Sequence, residues 1–351
     1  MIDHPHAALW ANRNTEVYSG LVSSNQDIPS LMRGSQEEIE SRSSSHGEGT
    51  PRRLSLFFRL VASSPWLAQG LRPLATRIVP LVSGTVRRGT RENARHIFGR
   101  TLGRQEQRDF TRRVVGSFYD FVTDMGVLSR QKCSSKPPLV AKLDRNDAYQ
   151  AARSSGKGAV LVTAHMGSFE VGLAALARIE DHIHVVFKRD DSGPFEKMRS
   201  NFRDSLGIIQ APIEDGLSMW LGLRQALQRG EAVVMQNDRV MPNQAAATVD
   251  FLHGQLRIPT GGIWLARLTG SPIIPVFVTR TRSGQFVVRT FDPIDPGTGH
   301  NKPVAGDPTV IAVAKAIETM VAEFPTQWLN LRPAFIDNAQ HQAQGMVANN
   351  V

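Results

Sequence analysis

A histidine and a glutamate five positions apart are the pair in this sequence best suited to proton transfer. His165 ends a continuous apolar run, KGAVLVTAH at 157–165, and Glu170 stands at the start of a helical pattern. On one helix the two side chains would point about 140° apart, whereas a turn between strand and helix can bring them together. A carboxylate on one ring nitrogen fixes the tautomer and raises the basicity of the other, which a general base needs to deprotonate a hydroxyl. From the spacing alone, the favoured interpretation is instead a histidine bonded to backbone and a glutamate that caps the start of a helix.

The residues between this pair suit a tight connection. Gly167 permits a sharp strand-to-helix turn, and Ser168 is a suitable N-cap. Other catalytic motifs are absent. There is no His-Glu-x-x-His zinc motif, and Glu170 stands where a Gly-x-Ser-x-Gly nucleophile elbow around Ser168 requires glycine. Gly-Lys-Gly at 156–158 lacks the spacing of a phosphate-binding loop. The sequence therefore favours acid–base chemistry over a metal or a serine nucleophile.

From about residue 139 the pattern alternates between strand and helix. Strands are predicted at 157–164, 183–189 and 231–238, with helices between them and a hairpin across Ser283-Gly284. This alternation predicts an α/β sheet with helices on its faces. Ligands bind at the carboxyl ends of such strands. The polar residues at strand ends or at the start of a helix are therefore candidate binding residues: Arg189, Asp238, Arg239, Thr260 and Gly261.

The chain before this region divides into three parts. Residues 1–53 are acidic and rich in Ser and Gly, which predicts disorder. Residues 54–85 are apolar but interrupted by arginines and three prolines, which predicts short helical pieces. Such a segment suits a membrane interface, although an amphipathic helix packed on the domain remains possible. Residues 86–130 predict two helices, with the first ending at Gly99. Residues 336–351 form a polar tail.

Composition narrows the class of protein further. The net charge of +9 is concentrated at 51–113, a segment that contains fourteen Arg and three acidic residues. This block lacks interleaved aromatic residues and any nucleic-acid-binding module, so we expect no nucleic-acid partner. The single Cys133 excludes an internal disulfide and a thiolate metal cluster. The sequence contains no uninterrupted run of 18 apolar residues, so we predict no membrane-spanning helix. The polar N-terminus does not fit a signal peptide.

Residues 55–335 resemble the bacterial lipid A biosynthesis late acyltransferases, a branch of the lysophospholipid acyltransferase superfamily. Six segments carry this resemblance in order: RENARHIFG (91–99), VTAHMGSFEVG (162–172), VVFKRD (185–190), LRQALQRGEAVVMQNDR (223–239), VDFLHGQLRIPTGGIWLARLTGSPIIPVFVTR (249–280) and FPTQWLNLRPAF (324–335). The resemblance implies a mixed sheet flanked by helices at 86–335, preceded by a membrane-associating helical region at 54–85. It also implies transfer of an acyl chain from a thioester to a hydroxyl, with no metal or resident cofactor.

The resemblance assigns roles to the candidate residues. His165 would be the general base and Glu170 would orient it, with backbone amides near Gly167 and Ser168 stabilising the oxyanion. Arg189 would bind a phosphate, and Asp238 and Arg239 would line the acceptor site.

The implied partners and location complete the hypothesis. The acceptor would be a lipid A precursor or related glycolipid of lipopolysaccharide synthesis. The donor would be acyl carrier protein or acyl-CoA. The enzyme would act at the cytoplasmic face of the inner membrane, in contact with the membrane lipids. Two alternatives stay open: an acyltransferase for lysophospholipids or aminolipids, whose Pro-Glu-Gly-Thr block this sequence lacks, and a membrane-binding relative without catalytic activity.

Overall fold

The structure, a computed structural model, describes residues 52–129, 140–144, 146–189, 193–241 and 244–336. The helices in these residues are α1 (Arg52–Ser63), α2 (Pro65–Gly70), α3 (Arg72–Val82), α4 (Gly84–Phe98), α5 (Arg104–Leu128), α6 (Asn146–Arg153), α7 (Phe169–Leu176), α8 (Gly193–Ser205), α9 (Gly216–Gln228), α10 (Gly261–Thr269) and α11 (Pro308–Glu323). The strands are β1 (Val140–Asp144), β2 (Ala159–Thr163), β3 (Ile183–Phe187), β4 (Ile209–Pro212), β5 (Ala232–Gln236), β6 (Ala246–Phe251), β7 (Gly254–Pro259), β8 (Ile273–Arg280) and β9 (Phe286–Thr290).

Seven of these strands form one mixed sheet in the order β1-β9-β8-β2-β5-β3-β4. The strands β8, β2, β5, β3 and β4 run parallel, while β9 pairs antiparallel with β8 and parallel with β1. All five residues of β2 are buried, as expected for a parallel strand covered on both faces. The predicted α/β class with a mixed central sheet flanked by helices is confirmed.

The predicted helices and strands of this region are present, with ends shifted by a few residues. The first helix of the 86–130 region begins earlier than expected, at Gly84, and ends before Gly99, whose φ of 63° is left-handed. The predicted hairpin joins β8 to β9, with Arg280 paired to Phe286. The tails at 1–51 and 337–351, and the linker around Cys133, lie outside the described residues.

A second hairpin, β6–β7, was not predicted. Its strands pair antiparallel from Ala246 opposite Pro259 to Phe251 opposite Gly254. The turn between them places Leu252 at a φ of 51°, a conformation that bulky residues rarely adopt. Because the turn lacks Asn-Gly or Asp-Gly, the sequence carries little hairpin signal.

The apolar segment at 54–85 forms α1, α2 and α3. Pro65 begins α2, and α3 has a proline in its first turn, as predicted, but Pro80 lies inside α3 and ends no helix. Phe58 and Val61 of α1 are buried in the core. By contrast, α3 has no buried residue, so its apolar side chains face outward. No helix in the described ranges is long and apolar enough to cross a membrane.

Candidate active site

Sheet register brings His165 beside Asp238. Strands β2 and β5 are parallel neighbours in which Thr163 pairs with Gln236. His165 and Asp238 each stand two residues beyond that pair, so both leave the sheet at its carboxyl edge. The imidazole Nδ1 lies 2.7 Å from Oδ1 of Asp238, and the backbone N–H of His165 donates to the same oxygen at 3.0 Å. Both contacts together fix the position of the ring.

A segment near residue 328 completes the support of this pair. The indole Nε1–H of Trp328 donates to Oδ2 of Asp238 at 2.8 Å, and the backbone N–H of Leu329 donates to the carbonyl oxygen of His165 at 2.7 Å. Asn93 of α4 holds the following residues, since its Nδ2 donates to the carbonyl oxygens of Asn330 and Arg332. The asparagine of the predicted 91–99 motif thus anchors this segment to α4.

Charge and burial set the protonation states of the pair. The side chain of His165 is 21 % exposed and that of Asp238 fully buried. Burial lowers the pKa of His165 below its usual value, and the positive charge of Arg239 lowers it further. Burial alone would raise the pKa of Asp238, but His165, Arg239 and Trp328 hold it below its usual range. At neutral pH the pair is therefore a neutral imidazole and a carboxylate.

Glu170 has different partners from those expected. It is buried at the start of α7, where Arg199 Nε donates to its Oε1 at 2.8 Å and Arg203 Nη2 donates to the same oxygen at 2.5 Å. These arginines hold the pKa of Glu170 below its usual value against the opposing effect of burial. The expected hydrogen bond from Glu170 to His165 is not among those of the described residues, and Asp238 occupies that role. The catalytic role assigned to Glu170 stays a prediction.

The backbone amides of the connection between β2 and α7 are bonded within the protein. Gly167 has a φ of 53°, and an added Cβ would lie 2.3 Å from the carbonyl oxygen of Val278. Its N–H donates to the carbonyl oxygen of Gln327 at 2.9 Å, and that of Met166 to Ala164. The hydroxyl of Ser168 donates to Oδ2 of Asp124 at 2.5 Å. The amides of residues 166 and 167, expected to stabilise an oxyanion, are thus engaged within the protein.

His165 lines a cavity of about 580 Å³ whose lining contains both aromatic and cationic side chains. The aromatic ones include Phe58, Phe118, Phe121, Phe169 and Phe195. The ring of Phe121 stacks on that of Phe169 with centroids 4.7 Å apart. The cationic ones are Lys188, Arg189, Arg199, Arg239 and Arg332, and the guanidinium of Arg199 lies over the ring of Phe195. No acidic side chain lines this cavity among the described residues, so an anion can approach without repulsion from a lining carboxylate.

The remaining predicted residues divide between this cavity and its surroundings. Arg189 lines the cavity, is 55 % exposed, and lies 3.5 Å from Asp215. Arg239 also lines it, while its Nε donates to Oδ1 of Asn330 at 2.6 Å. Thr260 is buried, and a side chain at position 261 would clash with the ring of Trp220. The cavity lining includes the adjacent Pro259 and Gly262 but neither Thr260 nor Gly261.

Sequence reasoning did not find the pairing of His165 with Asp238 or the part played by Trp328. The strand positions of His165 and Asp238 were both predicted, but the order of strands was not, and β5 rather than β3 lies beside β2. A buried tryptophan needs a partner for its indole N–H, which was the available signal for Trp328. In the described part of the chain, no group of three His, Cys, Asp or Glu side chains could hold a metal ion.

The fold and this site define an enzyme class through comparison with known families. The family model for bacterial lipid A biosynthesis acyltransferases matches residues 72–336, which include His165, Glu170, Asp238 and Trp328 but not Phe58. The chain belongs to that family, and the protein is accordingly an acyltransferase. A comparison with individually curated proteins finds no match.

Proposed function

We propose that this protein transfers a fatty acyl chain from an acyl thioester to a hydroxyl of a lipid A precursor or related glycolipid, with His165 as the general base. The carrying observation is the His165–Asp238 hydrogen bond of 2.7 Å beside a cavity lined by aromatic and cationic side chains. Membership of the lipid A acyltransferase family supports the same reaction class.

The hydrogen bond to Asp238 determines which nitrogen of His165 acts. An ionised carboxylate only accepts hydrogen bonds, so the contact keeps a proton on Nδ1 and leaves the lone pair on Nε2. A lowered pKa keeps the imidazole neutral at pH 7. A neutral imidazole fixed in one tautomer can accept the proton of an acceptor hydroxyl.

The proposed transfer proceeds without a covalent acyl-enzyme. As Nε2 takes the hydroxyl proton, the acceptor oxygen attacks the thioester carbonyl carbon and forms a tetrahedral intermediate. The carbon–sulfur bond then breaks, the ester carbonyl re-forms, and the leaving thiolate takes the proton from the imidazolium. Asp238 stabilises the imidazolium while it exists, as a carboxylate does for any adjacent cation.

Negative charge on the intermediate needs a positive field, because oxyanion stabilisation is a large part of such catalysis. Arg239 is close enough to lower the pKa of His165 through its charge, and it lines the same cavity. The same charge that disfavours protonation of the base favours an oxyanion beside it. We therefore assign Arg239 to charge stabilisation, and assign no such role to the engaged amides at 166 and 167.

The chemistry of the cavity lining suggests which parts of the substrates it binds. Its aromatic side chains, among them Phe58 and Phe195, offer apolar surface for a fatty acyl chain. Lys188 and Arg189, at the carboxyl end of β3, offer cations to the phosphate of a lipid A precursor or of the donor. Acyl carrier protein is the proposed donor and acyl-CoA the second candidate, and both carry phosphate next to the thioester arm.

Access to a lipid acceptor requires a membrane surface, and we place the enzyme on the cytoplasmic face of the inner membrane. Trp66 of α2 is 68 % exposed, and Leu81 and Val82 of α3 are each 74 % exposed. These apolar groups alternate with Arg59, Arg72 and Arg77 and are followed by the arginine-rich helices α4 and α5. Apolar side chains beside arginines suit an interface of anionic lipids.

The experiment is acyl transfer by the purified full chain, supplied with a lipid A precursor and acyl carrier protein thioester and read by mass spectrometry. His165→Ala should lower kcat by about 10²–10⁴-fold, the usual contribution of a general base. The exposed His182→Ala is the matched control and should retain full rate. Transfer at the wild-type rate by His165→Ala would refute the proposed base.

A further inference from the structure

A second cavity lies on the far side of the β2–α7 turn. Its volume is about 610 Å³, and its lining includes Gly167 and Ser168, whereas the first cavity is lined by His165. The remaining walls come from α5, from the end of α2 and the start of α3, from the β8–β9 hairpin and from Thr326 and Gln327 after α11. No apolar side chain lines it among the described residues. It therefore suits a polar ligand and cannot accommodate a fatty acyl chain favourably.

Four arginines and one aspartate supply the charge of this lining: Arg72, Arg113, Arg280, Arg282 and Asp120. Arg113 and Asp120 lie on the same face of α5 as Ser117, since they are spaced by four and three residues. Arg282 lies in the hairpin turn. The excess of cations within one concave surface attracts an anion, and hydroxyls such as that of Ser117 add hydrogen-bonding groups.

Two of the arginines are held in place by carboxylates. Nε and Nη2 of Arg72 donate to the two carboxylate oxygens of Asp120 at 2.6 and 2.8 Å. Nη1 of Arg280 lies 2.9 Å from each oxygen of the buried Asp124, and its guanidinium lies over the ring of Phe286. A guanidinium has five N–H donors, so these contacts orient both groups while leaving donors for a ligand.

The other two arginines carry charge without such partners. Arg113 and Arg282 are exposed, and no ion pair joins either of them to another described residue. Arginine matches the geometry of phosphate oxygens with two parallel hydrogen bonds. Two oriented guanidinium groups beside two unpaired ones can neutralise a doubly charged phosphate monoester.

We propose that this cavity is a binding site for a phosphate group, separate from the acyl-transfer cavity. The group belongs to an anionic lipid headgroup or to a soluble phosphate ester, and both present the same chemistry. Gln69 and Arg72 in the lining adjoin the exposed apolar residues of α2 and α3, so a headgroup could enter from the same surface that those residues cover. Binding here does not depend on the acyl-transfer proposal.

The test compares two double variants that lose the same charge. Arg113→Gln with Arg282→Gln removes the two unpaired arginines of the cavity. Arg104→Gln with Arg108→Gln removes two exposed arginines of the same helix α5 that lie outside the cavity. Neither pair contributes to the core, so both variants should fold. The soluble probe is glycerol 3-phosphate, measured by calorimetry; the lipid probe is phosphatidylcholine vesicles with and without phosphatidic acid, measured by flotation.

The cavity variant should bind at least one of these probes tenfold or more weakly than the wild type, while the control variant stays within about threefold. A loss seen with glycerol 3-phosphate identifies a site open to soluble esters. A loss confined to vesicles with phosphatidic acid identifies a headgroup site. Equal weakening by the two variants, or no binding of either probe by the wild type, would overturn the proposal, because the arginines would then contribute only general charge.

Discussion

Two buried carboxylates near the first cavity bind different kinds of group: one binds a side chain that titrates, and the other binds side chains that stay charged. Asp238 contacts the imidazole of His165, a group that changes its charge during proton transfer. Glu170 contacts the permanently charged Arg199 and Arg203, and so joins α7 to α8. The first contact influences basicity and the tautomer, whereas the second compensates buried charge. Substitution should therefore affect catalysis in one case and stability in the other.

Asp238→Asn should change both the rate and its pH dependence. Activity requires neutral His165, so kcat/KM falls as pH drops through the pKa of His165, which lies below its usual value. The negative charge of Asp238 raises that pKa in part, so its removal lowers the pKa further and moves the acid limb to lower pH. The plateau should fall by about 10²–10⁴-fold, because the neutral amide no longer stabilises the imidazolium by charge and its NH2 group can favour the wrong tautomer of His165. The pH profile of kcat/KM measures both effects.

Glu170→Gln is the matched comparison. It leaves the buried Arg199 and Arg203 with the more distant carboxylate of Glu196, 3.6 and 3.8 Å away. Breaking a buried ion pair typically costs about 3–5 kcal/mol of folding stability, and the acid limb should stay in place where the protein is folded. If instead Glu170→Gln shifted that limb and Asp238→Asn did not, Glu170 would be the group that orients His165. Denaturant unfolding of both variants separates lost structure from lost chemistry.

At the scale of elements, periodicity predicted most helices and strands but not their neighbours. The buried apolar run of β2 and the helical spacing of Phe110, Val114 and Phe121 on α5 are local signals, and both elements formed. Strand order depends on contacts between distant residues, so the His165–Asp238 pair was not predictable as a contact. The β6–β7 hairpin was not predicted, because Leu252 takes the positive φ in its turn and leucine is not a typical turn residue. The prediction that Pro80 ends a helix was wrong, because Pro80 lies in the last turn of α3, where a proline removes one backbone hydrogen bond and the helix continues to Val82.

The packing of α1 on α5 depends on a glycine. A Cβ at Gly126 would lie 2.5 Å from Cγ1 of Val61 and 2.7 Å from its carbonyl oxygen. Gly126→Ala should therefore force the two helices apart and reduce the free energy of unfolding by about 1–3 kcal/mol. The exposed Gly222 of α9 has no atom within 4 Å of an added Cβ. Gly222→Ala should instead stabilise the protein by about 0.5–1 kcal/mol.

Urea unfolding of the two alanine variants measures this contrast. Because both changes add one methyl group within a helix, their difference isolates the contact with Val61 from intrinsic helix propensity. Stabilisation of the same size in both variants would show that α1 does not pack closely on α5.

At the scale of the whole molecule, large exposed apolar groups are concentrated on α2 and α3. A surface of this kind usually marks a contact with a membrane or another protein. Elsewhere, exposed apolar residues are fewer on each helix, with Leu217 and Leu221 on α9 and Ile311 on α11. The difference in clustering provides a control for the proposed membrane contact.

Replacing Trp66, Leu74 and Leu81 by serine should weaken binding to anionic vesicles by at least about tenfold, because each buried apolar side chain contributes about 1.5–3 kcal/mol. Replacing Leu217, Leu221 and Ile311, which are also exposed, should leave binding unchanged. Vesicle flotation at rising salt concentration measures both variants. Similar binding by the two triple variants would argue against α2 and α3 as the membrane contact.

The support that Trp328 gives to Asp238 has a consequence for biosynthesis. The indole and the carboxylate it holds are 90 residues apart in the chain, and Asn93 reaches carbonyl groups 237 and 239 residues later. On the ribosome, His165 and Asp238 emerge well before the segment that orders them. A nascent chain halted before residue 328 therefore carries the base and its carboxylate without their final alignment. The aligned His165–Asp238 pair therefore forms only late in translation, once Trp328 has emerged.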